Sequence, residues 1–296
     1  MKEPVKKQAL FSFNFYSGKL SQQKENFMSR EFQLYIVPTP IGNLSDITLR
    51  AIEVLKSVDI IACEDSRVTQ KLLNHYDIKT KLISYHKYNE KSRLEEMLKL
   101  IDEGKKIALV SDAGTPMICD PGNVLITELR NRNIEITSLA GACAVSTFLS
   151  QVPRDTEKYT FVGFFPKTSQ TAKELILENA SSNTIFYESP NRILDTLAFI
   201  KEVRGEVRVA LGRELTKMFE EIVIDDVSKV IEHFSDGVKG EIVCMIYADE
   251  NSEKMNVSAQ IEQLKSKGFK SKEIATILST LFDLNKNEVY KLTMNK

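Results

Sequence analysis

Hydrophobic positions in the first half of the chain alternate between short strand-like runs and longer stretches with helical spacing. Runs such as "LYIV", "DIIAC", "KLISY" and "KIALV" are separated by amphipathic segments, in one of which Leu94, Met97 and Ile101 repeat every three or four residues. Gly104 suits the C-terminal end of that helix. Strict alternation of strands and helices predicts a mostly parallel sheet covered by helices. We therefore predict an N-terminal α/β domain over residues 31–151.

The second half has a different order of elements. Strand-like runs such as "EVRVALG", "FEEIVIDD" and "EIVCMIYAD" follow one another with few helices between them, which predicts a mixed sheet with antiparallel pairs over residues 152–250. The polar stretch "ENSEKMNVS" predicts a linker. The last segment, 251–296, predicts three short helices. The fold class is therefore α/β, with two α/β domains and a small C-terminal helical unit.

Charge is nearly balanced over the whole chain but not in this tail. The formal net charge is −1, so any contact with nucleic acid needs a local basic patch. From Lys254 onward the tail has eight lysines against four acidic residues, and "KGFKSKEIATIL" resembles a small helix-turn-helix unit. On charge alone, an RNA-holding tail and a solvated surface are both open.

Residues 1–30 and the cysteines indicate where the protein works. The N-terminal stretch does not fit a signal peptide and predicts a disordered leader, with an upstream choice of start codon as the alternative. No apolar run is long enough to predict a membrane span. The four cysteines lie far apart and predict reduced, buried thiols, with no metal site. These features predict a cytoplasmic protein without a membrane partner.

Three small, turn-forming loops follow predicted strands of the first domain: "PTPIGNL", "SDAGTPMICDPG" and "AGACAV". In open α/β sheets, ligands bind outside the carboxyl ends of the strands. There is no GxGxxG and no GxxxxGK[ST], so neither a dinucleotide fingerprint nor a P-loop is indicated. Asp112 could meet a ribose hydroxyl or an ammonium group. From spacing alone, a nucleoside-like ligand and ordinary turns remain alternatives.

Seven segments occur in the order typical of one family: "LYIVPTPIGNLSDITLRA", "CEDSRVT", "SDAGTPMICDPG", "FVGFFP", "FYESPNR", "RELTK" and "KGE". From Leu34 to Asp249, the chain resembles the ribosomal RNA small subunit methyltransferase I branch of the tetrapyrrole (corrin/porphyrin) methylase superfamily. This resemblance implies two α/β domains with a cofactor cleft between them and S-adenosylmethionine as cofactor. It also implies 2'-O-methylation of a decoding-centre cytidine in 16S (small-subunit) ribosomal RNA, on a ribosomal particle, by a homodimer.

The resemblance also implies cofactor-binding positions. They lie on the strand-end loops and on facing elements of the second domain: Ile41, Gly42, Asp112, Ala113, Gly114, Thr115, Ile118, Cys143, Ala144, Tyr187, Leu211 and Gly240. One departure concerns "LAGACAV", where Ala140 and Ala142 replace two prolines that the family usually has. The loop thereby loses rigidity, which bears on cofactor affinity more than on the fold.

The chemistry requires alignment of the ribose oxygen behind an activated methyl group, with a base or a cation to help its proton leave. We take Lys217, Glu188 and Arg213 as catalytic candidates, and Lys217 first, since burial can tune a lysine. Glu64, Arg67 and Arg192 are candidates for substrate binding. For each residue an ordinary ion pair is the alternative, and no metal is required.

RNA recognition needs basic groups for the backbone and an exposed base to contact. Arg67, His86, Lys87, Tyr88, Lys167 and the tail are candidates. In "TFVGFFP", the strand context predicts that Phe161, Phe164 and Phe165 belong to the core. Two other functions remain open: a small-molecule tetrapyrrole methylase, and a non-catalytic nucleotide- or RNA-binding module. The basic tail favours rRNA over a porphyrin, and the charged "YESPNR" and "RELTK" favour an enzyme.

Overall fold

The computed structural model describes residues 32–249, 258–282 and 285–294. The predicted leader, residues 1–30, lies outside the described residues, as does almost all of the predicted linker. None of the helices in the described part of the chain has the length and apolar character needed to cross a membrane.

The chain divides by spatial proximity into two compact units. The first comprises the described residues of Met1–Val37, Ile52–Val110 and Pro121–Leu139, and the second those of Pro38–Ala51, Ser111–Asp120 and Ala140–Lys296. The strand-end loops of the first half therefore group with the second unit. The domain limits drawn from the sequence, 31–151, 152–250 and 251–296, stay a prediction.

A parallel five-stranded sheet forms the first unit, as the alternation of elements predicts. Its strands follow the order β3–β2–β4–β1–β5, and every pairing is parallel. β2 and β4 are buried at every position, which explains their continuous apolar sequences. The strands are β1 (Leu34–Ile36), β2 (Ile60–Cys63), β3 (Lys81–Ser84), β4 (Ile107–Val110) and β5 (Ile136–Ser138).

The helices of this half begin and end at residues that local chemistry favours. Asp65 caps one helix by accepting the backbone N–H of Arg67, and Gly104 ends another with a φ of +79°. The Glu90 carboxylate accepts the backbone N–H groups of Gly122 and Val124, which fixes the helix that follows the "SDAGTPMICDPG" loop. The helices are α1 (Leu49–Ser57), α2 (Ser66–His75), α3 (Glu90–Asp102) and α4 (Asn123–Asn131).

The second unit contains the predicted mixed sheet, in the order β6–β7–β10–β8–β9. β6 and β7 are parallel, and the other pairings are antiparallel. Its strands are β6 (Tyr159–Phe164), β7 (Asn183–Glu188), β8 (Arg208–Arg213), β9 (Glu221–Asp226) and β10 (Ile242–Ile246). The helices between Ala144 and His233 are α5 (Ala144–Leu149), α6 (Ser169–Glu178), α7 (Ile193–Arg204) and α8 (Val227–His233).

Side chains on both faces of this sheet are buried, in two separate clusters. Along β8, Leu211 packs in a cluster with Phe186 and Ile193, whereas Ala210 packs in the other with Phe148. This alternation follows from the two-residue period of a strand. Gly212 has no room for a side chain, because a Cβ there would lie 2.8 Å from the Phe148 ring.

The C-terminal segment folds as three helices with a small core of their own. The helices are α9 (Ser258–Ser266), α10 (Ser271–Phe282) and α11 (Lys286–Met294), as the sequence predicts. Ile261, Ile274, Leu278 and Val289 are buried together between them. Gly268, at a φ of +86°, makes the turn between α9 and α10.

Candidate functional site

A cavity of about 400 Å³ lies within the second unit, at the mouths of several loops. Its walls come from the loops after β1 and β4, the start of α5, the ends of β6 and β7, the β8–β9 loop and the start of β10. This volume is in the range of small-molecule sites. More of the lining is apolar than polar, so the cavity suits a ligand with a flat apolar part and a few charged groups.

Backbone pairing between two of these loops shapes one wall of the cavity. Thr39 and Gly114 exchange two hydrogen bonds, Thr39 N to Gly114 O at 2.9 Å and Gly114 N to Thr39 O at 3.0 Å. The Thr39 hydroxyl also donates to Ser111 O at 3.1 Å. Gly114 has a φ of +80°, and a Cβ there would lie 3.2 Å from Ile41 Cγ2. A glycine is therefore required where the two loops meet.

The loop that contains Ala140 and Ala142 is fixed by a side-chain hydrogen bond and by close packing. The Thr115 hydroxyl donates to Ala142 O at 2.9 Å. Gly141 packs so closely on Pro38 that a Cβ would lie 2.5 Å from the proline's Cβ. These contacts hold the loop in place.

Four carboxyl groups line the cavity: Asp112, Asp120, Glu188 and Glu241. None of the lining residues, all of which are described, is a lysine, an arginine or a histidine. A cavity with acidic and no basic residues attracts a cation and repels phosphate. This charge excludes a pyrophosphate cradle and agrees with the absence of a P-loop.

Asp120 is a lining carboxylate whose pKa lies above the ordinary value. Burial raises its pKa, the Ser111 hydroxyl opposes this by donating a hydrogen bond, and the charge of Asp112 raises the pKa further. Burial also raises the pKa of the neighbouring Cys119 thiol, with smaller contributions from Asp120 and Cys143. A positively charged ligand would relieve the repulsion between the two aspartates.

Glu188, at the end of β7, is a fixed and nearly fully buried carboxylate. It accepts hydrogen bonds from the Ser189 backbone N–H at 2.7 Å and from the Thr196 hydroxyl at 3.0 Å. Arg192 Nη2 lies 3.3 Å from Glu188 Oε2 and also donates to Pro166 O. These partners occupy most of the acceptor capacity of Glu188, which suits an orienting group more than a mobile base.

Lys217 does not line the cavity, but it holds a residue that does. Its Nζ lies 2.8 Å from Glu214 Oε1 and 2.9 Å from Glu241 Oε2, and Glu241 is on the cavity wall. Burial lowers the pKa of Lys217, but the hydrogen bonds to the two glutamates outweigh it, so the pKa lies above the ordinary value. Lys217 is therefore a cation at neutral pH, which favours charge stabilisation over the role of a base.

The loop that carries Lys217 is packed against the loop after β1. A Cβ on Gly42 would lie 2.5 Å from Lys217 Cγ and 2.8 Å from Leu215 O, so only glycine fits there. Glu214 and Thr216 both have positive φ, 51° and 65°. For the β-branched Thr216 this is a strained conformation, of the kind that concentrates at functional sites.

Ten of the twelve residues expected to bind the cofactor line this cavity. Gly42 and Leu211 do not: Gly42 supports the Lys217 loop, and Leu211 is fully buried in the core of the sheet. Of the expected catalytic residues, Glu188 lines the cavity, whereas Arg213 pairs with Glu221 at 2.7 Å, outside the lining.

The expected substrate-binding residues are not among those that line the cavity. Glu64 and Arg67 belong to the first unit, beside the start of α2, and the Arg67 guanidinium pairs with Asp65 at 2.6 Å. Arg192 pairs with Glu188 behind the cavity wall. The roles of all these residues remain predictions.

Sequence reasoning missed several lining residues and misjudged two side chains. Leu215 and Ile242–Val243 line the cavity from the β8–β9 loop and β10. The prediction of buried thiols is right for Cys63 and Cys244 but wrong for Cys119, which is exposed on the cavity. The prediction of a core position is right for Phe165 but wrong for Phe164, which is 65% exposed and also lines the cavity.

Fold and cavity together describe an α/β protein with an acidic cavity at the strand-end loops. The sequence profile of the Tetrapyrrole (Corrin/Porphyrin) Methylases matches residues 33–231. The chain belongs to this family. Among solved structures, it is similar to diphthine synthase (TM-score 0.58, 15% identity, 73% of this chain and 89% of that one). It is also similar to uroporphyrin-III-C-methyltransferase from Thermus thermophilus (TM-score 0.53, 18% identity, 73% and 94%). These likenesses show the fold.

Closer sequence relatives share one name, ribosomal RNA small subunit methyltransferase I. The protein of that name from Vibrio cholerae is 42% identical over 267 residues, which cover 87% of this chain and 93% of the relative. The one from Hydrogenobaculum is 46% identical over 225 residues, 74% of this chain and 97% of the relative.

The raised pKa of Asp120 predicts a pH-dependent effect on stability. Because its pKa in the folded state exceeds the ordinary value of 3.8, the ionised carboxylate disfavours folding at neutral pH, and this penalty disappears as the pH falls through the folded pKa. We expect Asp120→Asn to raise the Tm at pH 7 by about 1–2 °C, and less near pH 4, since the group is partly solvated. The measurement is thermal unfolding at both pH values.

Asp236→Asn, on an exposed loop, is the matched control and should leave the Tm unchanged at either pH. A loss of stability at pH 7 in Asp120→Asn would show that the ionised carboxylate supports the fold.

Proposed function

We propose that the protein transfers the methyl group of S-adenosylmethionine to the ribose 2'-oxygen of a cytidine in small-subunit ribosomal RNA. The observation that carries the cofactor assignment is the acidic cavity without basic residues. S-adenosylmethionine has a sulfonium and an ammonium group and no phosphate, so its charge matches this lining. Two relatives that are 42% and 46% identical to this chain over almost their full length share the name ribosomal RNA small subunit methyltransferase I, and this supports the rRNA substrate.

The cavity residues suit the parts of this cofactor. Small residues on the wall, Ala113, Gly114 and Ala144, leave room for the flat nucleoside. The carboxylates of Asp112 and Asp120 suit its cationic groups. The remaining cofactor positions of the resemblance that line the cavity are Ile41, Thr115, Ile118, Cys143, Tyr187 and Gly240.

When bound, the cofactor supplies a methyl group that is already activated by the positive sulfur. The chain must therefore place the 2'-hydroxyl in line with that methyl group, exclude water and stabilise negative charge on the oxygen as its proton leaves. We assign the orienting role to Glu188, which is fixed by three donors, with Arg192 in support. We assign Arg213 an indirect, positioning role, because it pairs with Glu221 across strands β8 and β9 and does not line the cavity.

We assign charge stabilisation to Lys217. Its ammonium group contacts Glu241 on the cavity wall, and its raised pKa keeps it charged in the neutral range. The two glutamates fix this cation in position before the substrate arrives, and it would stabilise the reacting oxygen once the substrate replaces one of the two carboxylate partners.

We assign the basic tail, with Glu64 and Arg67, to RNA binding by a homodimer in the cytoplasm. Four lysines lie within eight residues around the α9–α10 turn: Lys265, Lys267, Lys270 and Lys272. Lys265 is within 3.3 Å of Glu262, and the other three are exposed. Such lysines suit phosphate contacts.

The experiment that tests the function is mapping of ribose methylation on small-subunit rRNA, with and without the gene and then with purified protein. One 2'-O-methylcytidine should disappear with the gene and return with the protein and S-adenosylmethionine. Methylation of uroporphyrinogen without any change in rRNA would assign the protein to small-molecule methylation. Cofactor binding without any transfer would leave a binding module.

Charge complementarity predicts that the cavity distinguishes the cofactor from its neutral-sulfur product. Asp120→Asn should weaken S-adenosylmethionine binding about three- to tenfold and S-adenosylhomocysteine binding less than twofold, because only the first has a charged sulfur. Calorimetry with both ligands measures the ratio, and Asp236→Asn is again the control. Equal losses of affinity for both ligands would show that Asp120 contacts a part of the molecule that the two ligands share.

Lys217→Met should lower kcat about 100-fold or more, with S-adenosylmethionine affinity within twofold of the wild type. Lys217→Arg, which keeps the charge, should recover part of the rate. The measurement is transfer of a labelled methyl group to small-subunit particles, with calorimetry for the cofactor. If the loss lies in KM for the particle alone, Lys217 binds RNA and does not stabilise the reacting oxygen.

If the basic tail binds RNA through phosphate contacts, it should contribute both to the RNA affinity and to the dependence of that affinity on salt. Replacing Lys267, Lys270 and Lys272 together by Gln should lower affinity for small-subunit particles. It should also reduce the magnitude of the slope of log K against log salt by about 2, because fewer phosphate contacts release fewer counterions on binding. Binding titrations at several salt concentrations measure this slope. The control replaces three exposed lysines of other helices and loops: Lys99, Lys173 and Lys239.

Deletion of residues 251–296 distinguishes a role of the tail in RNA binding from a role in assembly or stability. We expect S-adenosylmethionine affinity to survive and RNA affinity to fall. If the shortened chain instead changes its oligomeric state or its Tm and keeps its RNA affinity, the tail serves assembly.

A further inference from the structure

Phe164 is a large aromatic residue that the fold places on the cavity and leaves in solvent. It ends β6, whose pairing with β7 shifts register between Phe161 and Phe164. Gly163, with a φ of +73°, allows this bulge. As a result Phe165 points into the core at 4% exposure, while its neighbour Phe164 is 65% exposed and lines the cavity. Bulges commonly redirect a side chain next to a functional site.

Phe164 is supported from behind by other rings. Its ring centroid lies 5.7 Å from that of Tyr187, at an interplanar angle of 66°. Tyr187 in turn contacts Phe161 at 5.1 Å and 67°. Edge-to-face pairs of this kind fix the orientation of rings. Phe164 is therefore a supported aromatic surface, and it has only two side-chain torsions to immobilise when a ligand stacks on it.

We propose that Phe164 is the stacking surface for the base of the nucleotide that is methylated. This inference rests on the proposed function. The base of the methylated nucleotide is attached to the same ribose as the reacting 2'-oxygen. When that oxygen reaches a cofactor in the cavity, the base must therefore lie at the cavity rim. Phe164 is the largest exposed hydrophobic residue of the lining.

The charge of the cavity supports a base contact at this position. Asp112 and Asp120 would repel a phosphate group near the rim, whereas the face of a cytosine base is uncharged. Stacking of unpaired bases on aromatic side chains is the usual way in which proteins hold single nucleotides of RNA. The cofactor's adenine, by contrast, needs an enclosed position among the small residues of the wall.

The test compares Phe164 variants in methyl transfer to small-subunit particles that lack the modification. Phe164→Ala and Phe164→Leu should lower kcat/KM for the particle at least about tenfold, within the range that a lost base stack gives. Phe164→Tyr and Phe164→Trp should stay within about threefold of the wild type. S-adenosylmethionine affinity by calorimetry should be unchanged in all four. Tyr159→Ala, at the other end of the same strand and also exposed, is the matched control.

The chain has no tryptophan, so Phe164→Trp also introduces a single tryptophan whose emission can be excited selectively. Its emission should not change when S-adenosylhomocysteine is added. Strong quenching by this ligand, or a matching loss of cofactor affinity in Phe164→Ala, would place the residue against adenine and overturn the inference.

Two further results would overturn the inference. Full activity of Phe164→Leu would show that any apolar group suffices, and full activity of Phe164→Ala would show a surface residue without a role. If the wild-type protein methylates no small-subunit rRNA, the proposed function itself fails, and that result is visible without any variant.

Discussion

The double hydrogen bond between Thr39 and Gly114 is the constraint on which the cavity depends. It joins the loop after β1 to the loop after β4, and the rest of the wall is built on those two loops. Gly114 allows the close approach through its positive φ, and Thr115 then fixes the third loop through Ala142 O. Backbone atoms form most of these contacts, so small side chains suffice and the cavity stays open for a ligand.

The Lys217 loop completes the cavity by a different type of interaction. Side-chain charges fix it, with Lys217 between Glu214 and Glu241, and its backbone is strained at Glu214 and Thr216. Such strain persists only where surrounding contacts stabilise the conformation. Here the two ion pairs and the close packing on Gly42 supply those contacts. The wall formed by Thr39 and Gly114 thus depends on hydrogen-bonded backbone, whereas the Lys217 loop depends on charge.

The order of strands and helices was predictable from the sequence because burial leaves periodic patterns. The parallel sheet, the mixed sheet and the three tail helices all follow from those patterns. Helix α5 was missed, since six residues are too few to show a helical period. The exposure of Phe164 was also missed, because a bulge depends on the partner strand. The pairing of Lys217 with Glu241 joins residues 24 positions apart and has no local signal.

The separate core of helices α9–α11 has a consequence for how the chain can evolve. Ile261, Ile274, Leu278 and Val289 bury one another, so this part of the hydrophobic stabilisation is local to the segment. A segment of this kind can be gained, lost or exchanged between related proteins without repacking either sheet.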